Sequence, residues 1–563
     1  MKNLLIITDD AAKIQTFVGL LGQVFAWFYL NWFKLNLLVR LYWLRNFYRV
    51  SVLVSDCFHL NLKGVKVYSY SRELAQLDYA VGRLDYWRQT RKLLKQIKAL
   101  SLKFFQEDGW DTTRVFDTRL CSNLTYEFYV YDQLRQKIIQ AVRPDQVIYF
   151  TPLKRLKDWL LSWLLTREYR QKLAKFLAAS RQPCQLKPAP NLVLLSLDFF
   201  RHQKTLAPLL APLEAAGYRP VYVTDADLAA FLPESRRLAK KYLWQAKAVF
   251  KNFHHQWRPM IFYSAILSRL YLQAAQKLFR CLKPKGLIVV SDIRNLEKTL
   301  SLIARKNRVR SVLVSPNMIL DLAEINSYNI TDKVALPGEF IKQKLIQQGV
   351  SPKKLIVVGD LQTLNRPRLT KAQVYRLLGI DDLAKKLVLL VSFRPNWLIP
   401  LEEKQQFIAW SVAAAAKIPN TVLVIKPHPT ERRYRLMEEL KAMKLTQMIV
   451  ADNRQLELVD LLNAAAVVLQ TWSMTLFEAV NYSRPVISVN PFNKNYSQFL
   501  PVIADGGAVE VNSSESLARW LKILTDHRQP LTRRQLIRAK QAVAQYILPS
   551  DGRAAQRAVA LLK

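Results

Sequence analysis

Residues 421–436, TVLVIKPHPTERRYRL, and residues 460–490, DLLNAAAVVLQTWSMTLFEAVNYSRPVISVN, decide how this chain folds. TVLVIKP is a short apolar run rich in β-branched residues, which predicts a buried strand. It delivers Lys426, Pro427, His428, Pro429 and Thr430 into a loop. VDLLNAAAVVLQ predicts a helix and a second buried strand. TWSMTLFEAVNYS predicts a helix with a hydroxyl-rich start, and RPVISVN a third strand. Alternation of this kind predicts a parallel sheet with helices on its faces. Ligands bind such a sheet in the crevice beyond the carboxyl ends of its strands. The N–H groups of a helix start favour an anion there, typically a phosphate. The two loops are therefore expected at the tips of neighbouring strands, converging on one anion-binding notch.

The same alternation runs outward. KLVLLVSF predicts a strand that opens the loop RPNWLIP, and EEKQQFIAWSVAAAA a helix. Upstream, NLVLLSL, RPVYVTD, PKGLIVVSD, VRSVLVSPN, DKVALPG and KKLIVVGD predict strands separated by helices. RQPCQLKPAPN, residues 181–191, holds three prolines and reads as a linker. The strands LLIIT, RVSVLVS, VKVYSY and DQVIYF precede it. The predicted class is α/β. Residues 1–188 form an α/β unit with basic amphipathic helices; residues 189–380 and 381–563 form two doubly wound, Rossmann-like domains facing a cleft.

The chain has 563 residues, too many for one core, and carries 84 Lys and Arg against 43 Asp and Glu, a formal charge of +41. Nucleic acid, an anionic membrane surface and phosphate-bearing substrates all answer to such charge. The basic residues are spread along the chain, many beside Trp, Tyr and Leu. No Arg/Gly-rich tail, zinc-finger spacing or RRM-type aromatic motif accompanies them, which disfavours nucleic acid. Residues 84–105 are amphipathic, and residues 153–179 repeat the style with Trp159, Leu160, Trp163 and Leu164 as an apolar stripe among Lys and Arg. Such helices suit an anionic bilayer surface, with indoles at headgroup level. The competing reading is a helix packed on its own domain with a solvated basic face. Residues 14–33 contain no charge and are long enough to span a bilayer, but Gln15, Gln23 and Asn31 interrupt them. A buried or interface-lying helix is the expectation there. The opening MKNLLIITDD reads as a strand and a turn, not a cleavable signal. Cys57, Cys121, Cys184 and Cys281 stand far apart and make neither a metal nor a disulfide framework.

Several pieces together resemble the GT-B glycosyltransferases of the bacterial surface-polysaccharide type, with the CDP-glycerol glycerophosphotransferases and nucleotide-sugar epimerases among them. KPHPTE (residues 426–431) is similar to their KPHP loop. LLNAAAVVLQTWSMTLFEAVNYSRPVISV is similar to their ADVVIT-xxS-xxxEA-xxGxPVI segment, and SDGRAAQR (residues 550–557) to their closing DGxAxxR turn. SDIRNLEKTLSLIARKNRVRSVLVSPN, DKVALPGEFIKQKLIQQGVSPKKLIVVGD and HQKTLAPLLAPLEAAGYRPVYVT are similar to upstream elements, in the same order. The resemblance covers residues 190–563. SPN at residues 315–317 stands where QHG is usual, and Asn481, Tyr482 and Ser483 replace a small-residue and Gly turn.

The resemblance implies a nucleotide donor, with Ser473 at the phosphate-facing position and Glu478 at the ribose-binding acid. From the residues themselves, Lys426 can supply a point charge to a diphosphate and His428 a hydrogen bond. Thr471, Ser473 and Thr475 can face an anion or merely cap the helix. Arg394, after KLVLLVSF, can clamp a phosphate. The acceptor hydroxyl needs a base, for which His202 is the candidate, with Asp198 orienting or replacing it. Asp292 and Arg294 are acceptor-side candidates. No acidic pair here demands a metal, and no cofactor is expected beyond a nucleotide-activated sugar as co-substrate. The expected activity is transfer of a sugar or polyol phosphate to a surface-glycan or lipid-linked acceptor. It would take place in the cytoplasm, peripherally at the inner face of the membrane, with inversion or retention left open. An epimerase using Asp198, Asp292 and Glu324, an inactive nucleotide-binding relative, and a basic nucleic-acid-binding or scaffold protein are the alternatives.

Overall fold

Among the described residues every strand pairing is parallel, in three sheets. The computed structural model describes residues 2–8, 35, 37–54, 63–69, 134–150, 154–197, 203, 205–249, 258–291, 295–314, 330–347, 349–361, 367–393, 401–429, 431, 433–498, 500–548 and 551–563. The first sheet has the order β3-β2-β1-β4, from β1 (Lys2–Thr8), β2 (Tyr48–Val54), β3 (Val65–Ser69) and β4 (Gln146–Phe150). The second comprises β5 (Leu192–Ser196), β6 (Arg219–Val223), β7 (Gly286–Val289), β8 (Arg310–Val314), β9 (Lys333–Leu336) and β10 (Leu355–Val357). Its order is β10-β9-β8-β7-β5-β6. The third comprises β11 (Lys386–Val391), β12 (Thr421–Lys426), β13 (Ile449–Val450), β14 (Ala465–Gln470), β15 (Val486–Val489) and β16 (Val509–Val511), in the order β13-β12-β11-β14-β15-β16. The two six-stranded sheets establish the α/β, Rossmann-like class.

In the third sheet the central strands are buried on both faces, which is why they read as continuous apolar runs. Val388 and Leu390 of β11 join Leu423, Ile425, Val467 and Leu469 in one core, under Phe407 and Ile408 of the helix Leu401–Ala416 and Leu517 and Leu521 of the helix Ser514–Leu524. Leu387 and Leu389, of opposite parity, are equally buried. That face is covered by the helices Leu458–Ala464 and Thr475–Asn481. The expectation that the loops after β12 and β14 end neighbouring strands is corrected: β11 lies between them. Hydrophobic runs identify strands but carry no information on their lateral order. β13, two residues long, was too short to stand out.

The turn into β15 shows what the missing glycine costs. Ser483 has φ 54°, the left-handed conformation that glycine adopts without penalty. Arg484, next to it, donates to the carbonyls of Leu462 and Asn463 at 3.0 and 2.7 Å, closing the end of the helix Leu458–Ala464. Ser483→Gly is expected to stabilise the fold by about 1 kcal/mol, read as a higher urea midpoint.

The described residues form two compact units. One takes those of Met1–Gly82, Phe128–Pro152 and Asn365–Val543; the other takes those of Leu153–Leu364 and Ala544–Lys563. The last twenty residues thus leave the third sheet and complete the core of the second, a return that the boundary at 381–563 did not anticipate. On the helix Ala554–Ala560, the small faces of Ala554, Ala555 and Ala558 lie against Val193, Leu195 and Ile288, with Val559 and Leu562 alongside. The Leu548 N–H donates to the Pro337 carbonyl at 2.9 Å. Gly338 has no room for a side chain, since a Cβ there would sit 1.7 Å from the Tyr546 carbonyl oxygen. Arg557 pairs with Asp551 at 2.7 Å and donates to the Val358 carbonyl at 2.7 Å.

Residues 153–179 do form a helix, Lys154–Ala179. Thr166, Tyr169, Leu173 and Phe176 are buried, and Phe176 stacks on Tyr271 of the helix Arg258–Leu282 at 5.0 Å between centroids. This half of the helix packs on its own unit. The side chains of Trp159, Leu160, Trp163 and Leu164, and the whole of residues 14–33 and 84–105, lie outside the described residues. Among the described residues no helix is long and apolar enough to cross a membrane.

Candidate functional site

Numbered within the third sheet, the strands follow the order 3-2-1-4-5-6, and the chain reverses direction across the sheet between β11 and β14. Beyond the carboxyl ends of these two strands lies the crevice where dinucleotides and related ligands bind in sheets of this order. Lys426 ends β12 on one side of β11, and Thr471 follows β14 on the other. Two strand spacings put their backbones ~10 Å apart.

The KPHP loop is held from below. Lys426 is buried, and its ammonium donates to the Asn453 side chain, whose amide in turn donates to the Pro427 carbonyl at 3.2 Å. The Ser392 N–H, at the end of β11, donates to the Lys426 carbonyl at 3.0 Å. Half-buried His428 donates its backbone N–H to Glu431 Oε2 at 3.2 Å, and the Glu431 N–H returns to the His428 carbonyl at 2.8 Å. The loop is therefore a closed turn that presents His428 in a fixed position.

The β14 loop also closes on itself. Ser473 donates its N–H to Gln470 Oε1 at 2.8 Å and its hydroxyl to Thr475 Oγ1 at 3.1 Å. Its Oγ accepts the Thr475 N–H at 3.2 Å. The Thr471 carbonyl accepts from the buried Ser488 hydroxyl. The hydroxyls thus perform the helix-start role, and Glu478 lies half-buried on the first turn of the helix Thr475–Asn481. Glu478 adds to the effect of burial on Tyr482, whose phenol is raised above its ordinary value.

Four charged or polar groups at this site gave no sign in the sequence. Glu403 and Lys404, in the first turn of the helix Leu401–Ala416, are both buried and brace opposite sides of the crevice. Lys404 pairs with Glu431 and Glu439, each at 2.6 Å, and so fixes the carboxylate that orients His428. Glu403 pairs with Lys494 at 2.7 Å and accepts from the Tyr496 hydroxyl, both in the loop after β15. Tyr496 stacks on Trp472 at 5.9 Å and 14°, so the β14 and β15 loops share one wall. Burial and the neighbouring Glu403 carboxylate hold the Tyr496 phenol well above its ordinary 10.0.

A cavity of about 700 Å³ opens beside the KPHP loop, lined by Pro429, Arg433, Tyr434, Met437, Lys441 and Arg454 among others. None of its lining residues comes from the β14 loop. It lies to the β13 side of the switch point, and the topology makes the crevice the better candidate.

Arg394, Asp198, His202, Asp292, Arg294 and Glu324 lie outside the described residues. β5 and β7 are neighbours where the second sheet reverses. Among the described residues no group of three His, Cys, Asp or Glu side chains could hold a metal ion.

No family model matches the chain, and no curated protein matches it. Solved structures do. The UDP-GlcNAc 2-epimerase from Neisseria meningitidis bound to UDP-GlcNAc is 14% identical at a TM-score of 0.45, over 66% of this chain and 99% of that one. The UDP-GlcNAc 2-epimerase from Methanocaldococcus jannaschii is 16% identical at 0.41, over 60% and 94%. The spinosyn rhamnosyltransferase SpnG is 15% identical at 0.34, over 63% and 95%. Likenesses this distant carry no inference about activity.

Proposed function

We propose that the protein is a nucleotide-sugar-dependent transferase of GT-B type. It moves a sugar or polyol phosphate to a surface-polysaccharide or lipid-linked acceptor at the inner face of the membrane. The supporting observation is the 3-2-1-4-5-6 order of the third sheet, which sets Lys426 and the Thr471–Ser473 loop on either side of its switch point. In this reading Lys426 and Arg394 stabilise the diphosphate as it leaves, a task that needs cations rather than a metal when they are already in place. His428 donates to a phosphate or sugar oxygen. Glu478 takes the ribose, with Thr471, Ser473 and Thr475 shaping the wall beside it. His202, oriented by Asp198, removes the acceptor proton. Asp292 and Arg294 hold the acceptor.

The test is a panel of UDP-, CDP-, GDP- and CMP-activated donors scored by thermal shift and calorimetry. One donor family is expected to stabilise the protein. Lys426→Ala is expected to weaken that donor by about tenfold to a hundredfold, the loss of one charge-assisted contact, with an unchanged circular dichroism spectrum. No shift with any donor or bare nucleotide removes the proposal. Conversion of a nucleotide sugar in the absence of acceptor replaces it with the epimerase reading.

A further inference from the structure

The helix over residues 35 and 37–44 has one buried face and one exposed apolar face. Leu37 and Leu41 are fully buried, as one side of a helix should be. The other side shows Leu35, Val39, Tyr42 and Trp43, followed by Phe47 in the turn before β2. These five are between 56% and 63% exposed. Their spacing makes one continuous stripe. The Trp43 and Phe47 rings lie 5.0 Å apart, so the stripe is a contiguous patch rather than scattered residues. A surface apolar patch of this kind marks an interaction site.

Charge says what the site fits. At the helical period Arg40 and Arg45 fall on either edge of the stripe. Arg45 lies over the Tyr42 ring at 4.2 Å and donates to the Lys63 carbonyl at 3.5 Å, which holds its guanidinium at the margin. Lys63, reached by that bond, is an exposed cation beside it, and exposed Arg49 follows Phe47 by two residues. Among the described residues up to 150 the single acid is Asp145, and it is occupied by the Asn3 N–H at 2.6 Å. Aromatic and aliphatic side chains at the centre, with arginines at the edges, match an interface of acyl chains beneath anionic headgroups. Single-stranded nucleic acid asks for the reverse, a basic groove set with stacking rings, and Leu35 and Val39 offer a base nothing to stack on.

We propose that this helix face docks the protein on an anionic lipid bilayer, with Trp43 and Phe47 inserted at headgroup level. It is a different surface from the crevice of the third sheet and does not depend on the nucleotide reading. The experiment is co-sedimentation of the full chain with vesicles of phosphatidylcholine alone and of phosphatidylcholine mixed with phosphatidylglycerol. Binding to the anionic vesicles is expected to exceed binding to the neutral ones and to fall with salt. The double variant Val39→Ser/Trp43→Ser is expected to bind anionic vesicles at least about tenfold more weakly, while circular dichroism and any donor-induced thermal shift stay unchanged. Arg40→Gln/Arg45→Gln is expected to lose the preference for anionic over neutral vesicles. The proposal is overturned if the Ser variant binds like its parent. It is also overturned if the parent binds duplex DNA but no vesicle, or if the patch proves to join two copies, seen as a dimer in light scattering that the Ser variant abolishes.

Discussion

Lys494→Met is expected to destabilise the unit that holds the third sheet by about 3–5 kcal/mol, the usual result of stranding one half of a buried ion pair. Its partner Glu403 is fully buried and Lys494 only 2% exposed by side chain, so neither charge can fall back on water. The loop that carries Lys494 is itself wound around this contact. Asn490 Nδ2 donates to the Lys494 carbonyl at 2.6 Å and Asn490 Oδ1 accepts the Lys494 N–H at 2.8 Å. Losing the lysine removes the cation from the buried Glu403 carboxylate, which still accepts from the neutral Tyr496 hydroxyl. The double variant Glu403→Met/Lys494→Met should recover much of the loss, because two apolar side chains replace the pair without an orphaned charge. Urea denaturation of both variants and the parent measures the difference. Equal stability of Lys494→Met and parent would remove the pair as a brace. The same cluster sets an alkaline limit. The Tyr496 phenol is raised above 10.0, so the folded state holds its proton more tightly than the unfolded chain does. The protection is complete below pH 10 and declines as pH rises beyond it, toward the higher folded-state value.

Lys404→Met is expected to cost a similar ~3–5 kcal/mol and, in addition, to loosen the KPHP loop. Here one buried cation lies between two carboxylates, Glu431 and Glu439. Without it the carboxylates face each other with no charge between them. Glu431 also accepts the His428 N–H, so its displacement frees the turn that presents His428. The triple variant Lys404→Met/Glu431→Gln/Glu439→Gln should regain stability. It should not regain donor affinity if the fixed turn is what binding requires. Denaturation measures the first effect and calorimetry with the donor the second. If stability and affinity return together, the lysine acts only as a structural filler.

These two braces mark the limit of what the primary structure discloses. The strands were legible because each central one, such as LVLL in β11 or AAVVL in β14, is an uninterrupted apolar run enclosed by helices. Lys426, His428, Ser473 and Glu478 are read from motif and loop position as donor-side residues; the structure sets Lys426 and His428 at the end of β12 and Ser473 and Glu478 after β14, and their roles belong to the proposal. Glu403 and Lys404 were not found, because EEK at a helix start reads as a solvated first turn. Their burial is produced by partners 93 and 27 residues away. Lys494 and Tyr496 hide for the same reason in PFNKNYS, which reads as an ordinary polar loop. Lateral strand order belongs to the same class of information. It depends on which edge a strand joins, and no local pattern records that choice.

The return of the last twenty residues also constrains how the molecule is made. The core of the second sheet contains Val193 and Ile288 from the middle of the chain and Ala558 and Leu562 from its far end. During synthesis on the ribosome, Val193 and Ile288 emerge hundreds of residues before the helix that covers them. That face, covered in part by Leu206, Leu209 and Leu213, therefore stays incompletely covered until residues 554–562 have left the exit tunnel, and a transcript that stops short of them yields a chain that leaves it so.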